Sequence, residues 1–198
     1  AVKLPVTVKT RLGWDDNSKI IVDLAERLQD VGIAALTVHG RTRCQLYKGE
    51  ADWTLIGEIK KNPRMRIPII GNGDIVSDIG AAEAFEKYGV DGIMIGRATY
   101  GRPWIFKEIK HFLATGEHMP ELTLSEKCAL AKRHLIKSVE VKGERVGVLE
   151  MRRHLSSYFK ALPNFKEIRM KLVTENDYRV VLELIDMIQE RYSSSDKL

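Results

Sequence analysis

The chain has 198 residues, of which 44% are hydrophobic and 30% charged, a composition typical of a globular protein with one large domain or two modest ones. It contains no apolar run near the ~20 residues that span a bilayer, and its start, AVKLPVTVK, is predicted to be a strand and not a signal peptide. Cys44 and Cys128 are the only cysteines. Their number excludes a disulfide framework and predicts a reducing cytoplasm, and no His/Cys group has metal-ligand spacing.

The net charge of +5 is concentrated in one part of the chain. Residues 127–171 carry 12 basic and 4 acidic side chains, whereas residues 1–101 carry 14 basic and 13 acidic ones. A local excess of this size indicates either a solvated helical face or a contact surface for a polyanion. Charge alone does not separate the two interpretations.

The first 113 residues are predicted to alternate strand and helix four times. Short apolar runs predict strands over residues 5–10, 33–38, 67–70 and 92–95. Helical periodicity predicts helices over residues 17–31 with Asn17 as N-cap, 53–61 with Asp52 as cap, 78–88 and 103–113. This alternation is typical of parallel strands with right-handed crossovers, as in half of a (β/α)₈ barrel or in a small doubly wound sheet.

Polar side chains follow each of the four predicted strands. They are Lys9 and Arg11, then His39 and Arg41, then Asn72 and Asp74, and finally Arg97. Barrels build their active sites at the carboxyl ends of all strands, whereas open sheets do so mainly at one switch point. The distribution therefore favours an α/β fold containing half of a TIM barrel.

The alternation of predicted strands and helices ends at a linker over residues 115–120. No strand pattern follows, and a Thr123-x-x-Glu126 capping box opens the first of four predicted helices. The other three cover residues 144–162, 164–173 and 175–192, and the SSSD stretch near the end is predicted to fray. We therefore predict two domains, a half barrel over residues 1–114 and an all-α helical bundle over residues 121–198.

Each candidate binding residue also has a purely structural interpretation. A lysine such as Lys9 at a strand end can face a flavin ring or a phosphate, or simply solvent. His39 is more indicative because Arg41 and Arg43 lie beside it. The Asn72-Gly73-Asp74 turn precedes a predicted helix, so a hairpin does not explain it.

The glycine-rich strand ends favour contact with a phosphate or a flavin. At Gly73 and Gly96 the backbone lacks a Cβ and can bring its N–H groups close to a ligand. Cys44 has no base beside it and is not predicted to be catalytic, and Cys128 is predicted to be core. Arg152 and Arg153 are predicted to face outwards, either for solubility or to contact a phosphate backbone.

Five segments together resemble the bacterial tRNA-dihydrouridine synthases, and in particular the branch called DusB. They are VTVKTRLGWDD, LTVHGRTRCQLYKGEADW, IPIIGNGDI, DGIMIGRATYGRPWIF and EMRRHL, in that order along nearly the whole chain. The resemblance implies a flavin-binding TIM barrel followed by a helical tRNA-binding domain. It also implies FMN as cofactor, NADPH as reductant and uridine in tRNA as substrate.

The resemblance implies roles for individual residues. Cofactor contacts are expected from Lys9, His39, Asn72, Gly73, Asp74, Gly96 and Arg97. Contacts with the uracil or the tRNA are expected from Arg11, Arg41, Tyr47, Arg152 and Arg153. The target base would have to leave its stack to reach the flavin.

The chain also departs from the resemblance. The family's general-acid cysteine belongs to an Asn-x-Gly-Cys-Pro motif that would precede Ala1, and Cys44 does not occupy the matching position. No residue of this chain is therefore predicted to be catalytic, and the chain alone is expected to be an inactive fragment corresponding to strands five to eight and the helical domain. Open sheet edges would favour self-association, which a clean monomer in light scattering would contradict.

Two other functions are compatible with the sequence. A flavin barrel similar to dihydroorotate or dihydropyrimidine dehydrogenases would share the cofactor site but would not need the basic helical part. A non-catalytic RNA-binding module would retain affinity for tRNA without a flavin. Flavin absorbance and salt-dependent tRNA retention separate the three.

Overall fold

The computed structural model describes residues 3–193, which divide into two compact units. The first contains the residues up to Ala98 together with Ile105–His118, and the second contains Thr99–Trp104 together with the residues from Met119 onwards. All four predicted strands and all eight predicted helices are present. No helix in the described range is both long and apolar enough to cross a bilayer, and most of the SSSD stretch lies outside that range.

The first unit is built on a four-stranded parallel sheet. Its strands are β1 (Thr7–Arg11), β2 (Ala35–His39), β3 (Ile69–Asn72) and β4 (Gly92–Met94). They are arranged in the order β1-β2-β3-β4, and each pairs in parallel with the next. A doubly wound sheet would reverse its order at a switch point. The sequential order is consistent with a partial TIM barrel.

Helices cover one face of this sheet. They are α1 (Ile21–Asp30), α2 (Thr54–Lys61), α3 (Asp78–Tyr88) and α4 (Ile105–Thr115). Leu36, Val38 and Ile69 of the strands pack in one buried cluster with Ile21 of α1 and Ile56 of α2. Because side chains alternate along a strand, the register partners Lys9, Thr37, Ile70 and Gly92 lie on the opposite face.

Several predictions about element ends are corrected, and the N-cap of α2 is Trp53 and not Asp52. The first three strands each run one or two residues further than predicted, so Arg11, His39 and Asn72 are the last residues of β1, β2 and β3. Asn17 is not the N-cap of α1, which begins only at Ile21. The Asp15 carboxylate instead accepts hydrogen bonds from the backbone N–H of Asn17 and from the hydroxyl of Ser18, which holds this segment in a turn.

The second unit contains four helices. They are α5 (Leu124–Lys142), α6 (Glu144–Tyr158), α7 (Lys166–Thr174) and α8 (Tyr178–Ser193). Leu135, Met151, Leu172 and Ile185 bring one residue from each helix into a common buried cluster. The predicted capping box is confirmed at the start of α5, where Thr123 and Glu126 exchange their two hydrogen bonds.

Residues Thr99–Trp104 pack against α6 in this second unit. The Trp104 ring lies 5.8 Å from that of Tyr158. Gly101 has a φ of 67°, and a Cβ there would lie 2.4 Å from the backbone nitrogen of Tyr158. Only glycine therefore allows this segment to approach the helix so closely.

Candidate functional site

Parallel pairing aligns the polar strand ends in one row. Arg11 is the register partner of His39, His39 of Asn72, and Asn72 of Met94. Register partners in a parallel sheet project from the same face, so these residues stand side by side at its carboxyl edge. The Asn72 amide donates a hydrogen bond of 2.7 Å to the carbonyl of Met94, which fixes its orientation within the row.

The Asp74 carboxylate is the centre of the hydrogen-bond network at this edge. It follows β3 in a left-handed conformation with a φ of 55°. Arg41 donates to both of its oxygens at 2.9 and 2.6 Å, Arg97 donates to Oδ1 at 2.9 Å, and the backbone N–H of Ala51 donates to Oδ2 at 2.8 Å. The hydrogen bond from Arg41 is the main reason that the pKa of Asp74 is lowered.

Arg41 is almost completely buried, with 2% of its surface exposed. Besides Asp74, its guanidinium contacts the carbonyls of Lys48 and Gly49 and Nε2 of His39. These contacts engage all five N–H donors of the side chain. The Arg41 guanidinium is thus held within the protein, and its expected contact with a substrate stays a prediction.

Tyr47 is the most exposed of the predicted substrate contacts in this unit. The residue is 61% exposed, and its ring centroid lies 4.9 Å from Cζ of Arg97 and 5.8 Å from Cζ of Arg11. Its centroid lies 6.2 Å from that of His39. Arg11 also donates to the carbonyls of Thr42 and Leu46 at 2.8 and 2.9 Å. The structure thus brings Arg11, His39, Tyr47 and Arg97 together.

The two predicted binding glycines differ in their surroundings. A Cβ at Gly73, where φ is 130°, would lie 2.6 Å from Cβ of Ala51 and 3.1 Å from Cδ2 of His39. Packing within the protein therefore already requires glycine at this position. A Cβ at Gly96 would meet no atom within 4 Å. The space in front of Gly96 is thus available to a ligand.

Trp53 supports the site in a way that the sequence does not reveal. It lies at the start of the helix predicted over residues 53–61 and is buried at the N-cap of α2. Its indole Nε1 donates a 3.0 Å hydrogen bond to the carbonyl of Gly73 and so fixes the turn between Asn72 and Asp74. The sequence signal was only the short ADW segment before α2.

His39 is uncharged at neutral pH. Its burial lowers its pKa to about 4, and the positive charges of Arg11, Lys9 and Arg41 act in the same direction, whereas Asp74 opposes them. Partial burial and the charge of Arg11 also lower the pKa of Lys9. The edge thus combines a neutral imidazole with several fixed cations and a single neutralised carboxylate.

The pKa of His39 predicts a loss of stability in acid. Its value in the unfolded chain is near 6.5, so between pH 6.5 and pH 4 the unfolded state binds the proton and the folded state does not. The free energy of unfolding should then fall by about 2 to 3 kcal/mol more in the wild type than in His39→Gln between pH 7 and pH 4.5. Urea denaturation at both pH values measures the difference, and equal losses in the two proteins would contradict it.

In the second unit, both predicted tRNA contacts on α6 have partners within the protein. Arg152 donates to the carbonyls of Thr174 and Glu175 and to Oδ1 of Asn176. Arg153 donates to the hydroxyl of Tyr100, and its guanidinium lies 5.1 Å from the centroid of that ring. Both arginines nevertheless line one basic cleft.

Comparison with known proteins identifies the family. The sequence profile described as dihydrouridine synthase matches residues 1–192. The chain belongs to the dihydrouridine synthase family. The sheet, the strand-end cluster and the helical unit are therefore features of a member of that family.

Relatives with related names cover most of the chain. It is 43% identical over 198 residues to a probable tRNA-dihydrouridine synthase of Rickettsia conorii, covering 100% of this chain and 59% of the relative. It is 45% identical over 169 residues to tRNA-dihydrouridine synthase B of Pseudomonas aeruginosa, covering 85% and 50%. It is 38% identical over 192 residues to tRNA-dihydrouridine synthase B of Proteus vulgaris, covering 97% and 59%. The chain thus spans between half and three fifths of the length of these dihydrouridine synthases.

Proposed function

We propose that this chain is the part of a tRNA-dihydrouridine synthase that binds FMN at its strand ends and tRNA with its basic helices. The complete enzyme would reduce uridine in tRNA to 5,6-dihydrouridine with NADPH as reductant. The observation that carries the proposal is the alignment of Arg11, His39 and Asn72 in one row beside Arg97. Cytoplasmic location and self-association of the chain remain predictions.

The charges at the strand ends fit an anionic cofactor. Lys9, Arg11 and Arg97 are cationic, and the Asp74 carboxylate is neutralised by Arg41 and Arg97. The Arg97 side chain is 55% exposed, so its guanidinium can bind a phosphate while it keeps one contact with Asp74. The open space at Gly96 lets a phosphate group approach the backbone.

The remaining residues would hold the other parts of FMN. Lys9 and His39 would contact the flavin, and Asn72 and Gly73 would bind the ribityl chain, with Asp74 positioning Arg97. The chemistry that FMN supplies when bound is hydride transfer to C6 of the uracil ring. The neutral imidazole of His39 keeps one N–H donor for a carbonyl oxygen or a ring nitrogen, and the ammonium of Lys9 stabilises negative charge beside it.

Tyr47 and Arg11 would then contact the substrate. Both lie in the same cluster as Arg97, and an exposed aromatic ring beside guanidiniums is suited to an unstacked base and its phosphates. No described residue of this cluster is proposed as the proton donor for C5 of the uracil. The absence of turnover by the chain alone therefore remains a prediction.

Gly96→Ala tests the cofactor site with little effect on the fold. The variant is expected to bind FMN about tenfold or more weakly, because the added methyl group occupies the space proposed for the phosphate. Its melting temperature should stay close to that of the wild type, since no atom lies within 4 Å of the new Cβ. Quenching of FMN fluorescence on titration measures the affinity.

The matched control is Gly92→Ala at the start of β4, where a Cβ would make an ordinary 3.5 Å contact with Ile70. It should bind FMN like the wild type. Equal affinity of Gly96→Ala and the wild type for FMN would contradict the phosphate site.

Two binding measurements on the wild type separate the alternative functions. Binding of FMN without salt-sensitive retention of tRNA would favour a dehydrogenase-like barrel, and retention of tRNA without FMN would favour an RNA-binding module.

A further inference from the structure

The second unit contains a cleft of about 770 Å³ between the end of α6 and the length of α7. Five of its ten lining residues are cationic and none is acidic. The cations are Arg152, Arg153, Lys160, Lys166 and Arg169. A cleft with this lining attracts polyanions.

The five cations are not equivalent. Arg152 is held by the chain between α7 and α8, and Arg153 lies against Tyr100. These two arginines shape the cleft. Within residues 3–193, by contrast, the side chains of Lys160, Lys166 and Arg169 form neither a hydrogen bond nor an ion pair. Those three are available to a ligand.

The rest of the lining is mainly apolar. Leu162, Phe165, Met170 and Val173 provide it. Phe165 is buried and packs on Phe159 with 5.9 Å between ring centroids, which ties this wall to the core of the unit. Met170 is 54% exposed. An exposed thioether beside three unpaired cations offers a surface for the flat face of an aromatic ligand.

The combination of cations and apolar wall selects one kind of polyanion. The backbone of an RNA duplex presents phosphates on a convex surface, and its bases are stacked inside where a cleft cannot reach them. A flexible acidic peptide would satisfy the cations but would leave the apolar wall exposed. An unpaired nucleotide carries an apolar base face and flanking phosphates in one unit, and so matches both parts of the lining.

We propose that this cleft binds one unpaired nucleotide of an RNA strand. Its base would lie against Met170 and the apolar wall, and its flanking phosphates would contact Lys160, Lys166 and Arg169. The inference rests on the proposed function, because the RNA would be the tRNA substrate. It goes further in that it assigns a second nucleotide-binding position, in the helical unit and separate from the uracil site at the strand ends.

The test compares two sets of variants of the whole chain. The cleft set is Lys160→Ala/Lys166→Ala/Arg169→Ala together, and Met170→Ala separately. The control set removes the same charge from cations of this unit that do not line the cleft, as Lys127→Ala/Lys171→Ala/Arg145→Ala, and removes a partly exposed methionine of α8 as Met187→Ala. Fluorescence anisotropy would measure binding of a single-stranded oligouridylate of about eight nucleotides, an RNA duplex, poly-glutamate and a complete tRNA.

The cleft triple variant is expected to bind the single strand about tenfold more weakly than the control triple variant does. Met170→Ala is expected to bind the single strand about fivefold more weakly than the wild type and to bind the duplex equally well. Met187→Ala should bind both RNAs like the wild type. Equal losses in the two triple variants, an unchanged affinity in Met170→Ala, or preferential binding of poly-glutamate would overturn the proposal. If the wild type does not bind tRNA, the proposed function fails; if all variants bind tRNA equally, only the cleft assignment fails.

Discussion

Asp74→Ala is expected to lower the free energy of unfolding by about 2 kcal/mol, less than for a fully buried ion pair because the Asp74 side chain is 34% exposed. The reason is that the Arg41 guanidinium, 2% exposed, would keep its charge and lose its counter-ion. Ala51 and Arg97 would lose an acceptor as well. Urea denaturation monitored by far-UV circular dichroism measures the change, and FMN titration should show weaker binding because Arg97 is no longer held.

A control variant separates the loss of the Arg41 counter-ion from the general effect of removing a carboxylate. Asp16 forms an exposed ion pair with Lys19, and Asp16→Ala should change the free energy of unfolding by about 0 to 1 kcal/mol. Combining Asp74→Ala with Arg41→Met should recover part of the lost stability, because the buried charge is then removed. A double variant that is less stable than Asp74→Ala alone would argue against an uncompensated charge as the cause.

Gly71→Ala is expected to destabilise the first unit by a similar amount. A Cβ at Gly71 would lie 2.0 Å from Cζ3 and 2.5 Å from Cη2 of the buried Trp53 ring. The indole would have to move, which would break its hydrogen bond to the carbonyl of Gly73. Overpacking together with the lost hydrogen bond should reduce the free energy of unfolding by about 3 kcal/mol and disturb the Asn72–Asp74 turn.

A smaller side chain at position 53 tests this explanation. In a Trp53→Leu background the steric conflict is removed, so the further change Gly71→Ala should lower the free energy of unfolding by less than about 1 kcal/mol. Calorimetric melting of the four proteins of this cycle gives the coupling. Additive losses would mean that the Trp53 ring is not what excludes a side chain at Gly71.

The order of elements could be predicted because it depends on local patterns. Buried parallel strands are continuous apolar runs, helices repeat with a different period, and the capping box of α5 is a signal within four residues. The start of α1 could not be predicted in the same way. Asn17 has the chemistry of an N-cap, but Asp15 binds its backbone N–H first, and sequence alone does not rank these competing hydrogen bonds.

The grouping of polar side chains at the strand ends was predictable, whereas the surroundings of each side chain were less so. The rule that strand ends converge correctly grouped Arg11, His39 and Asn72, because register follows from parallel pairing. It did not distinguish Arg41 from Arg97. Arg41 is buried with its donors engaged, whereas the Arg97 side chain is half exposed. This difference depends on the path of residues 42–51 and not on residue type.

That path has a consequence for ligand binding. Arg11 holds the carbonyls of Thr42 and Leu46, and Arg41 holds those of Lys48 and Gly49. The segment thus lacks regular secondary structure, yet hydrogen bonds from two guanidiniums hold four of its carbonyl groups. The held carbonyls lie on both sides of Tyr47 in the chain, so under the proposed function binding there would carry a smaller entropic penalty than the ordering of a free loop.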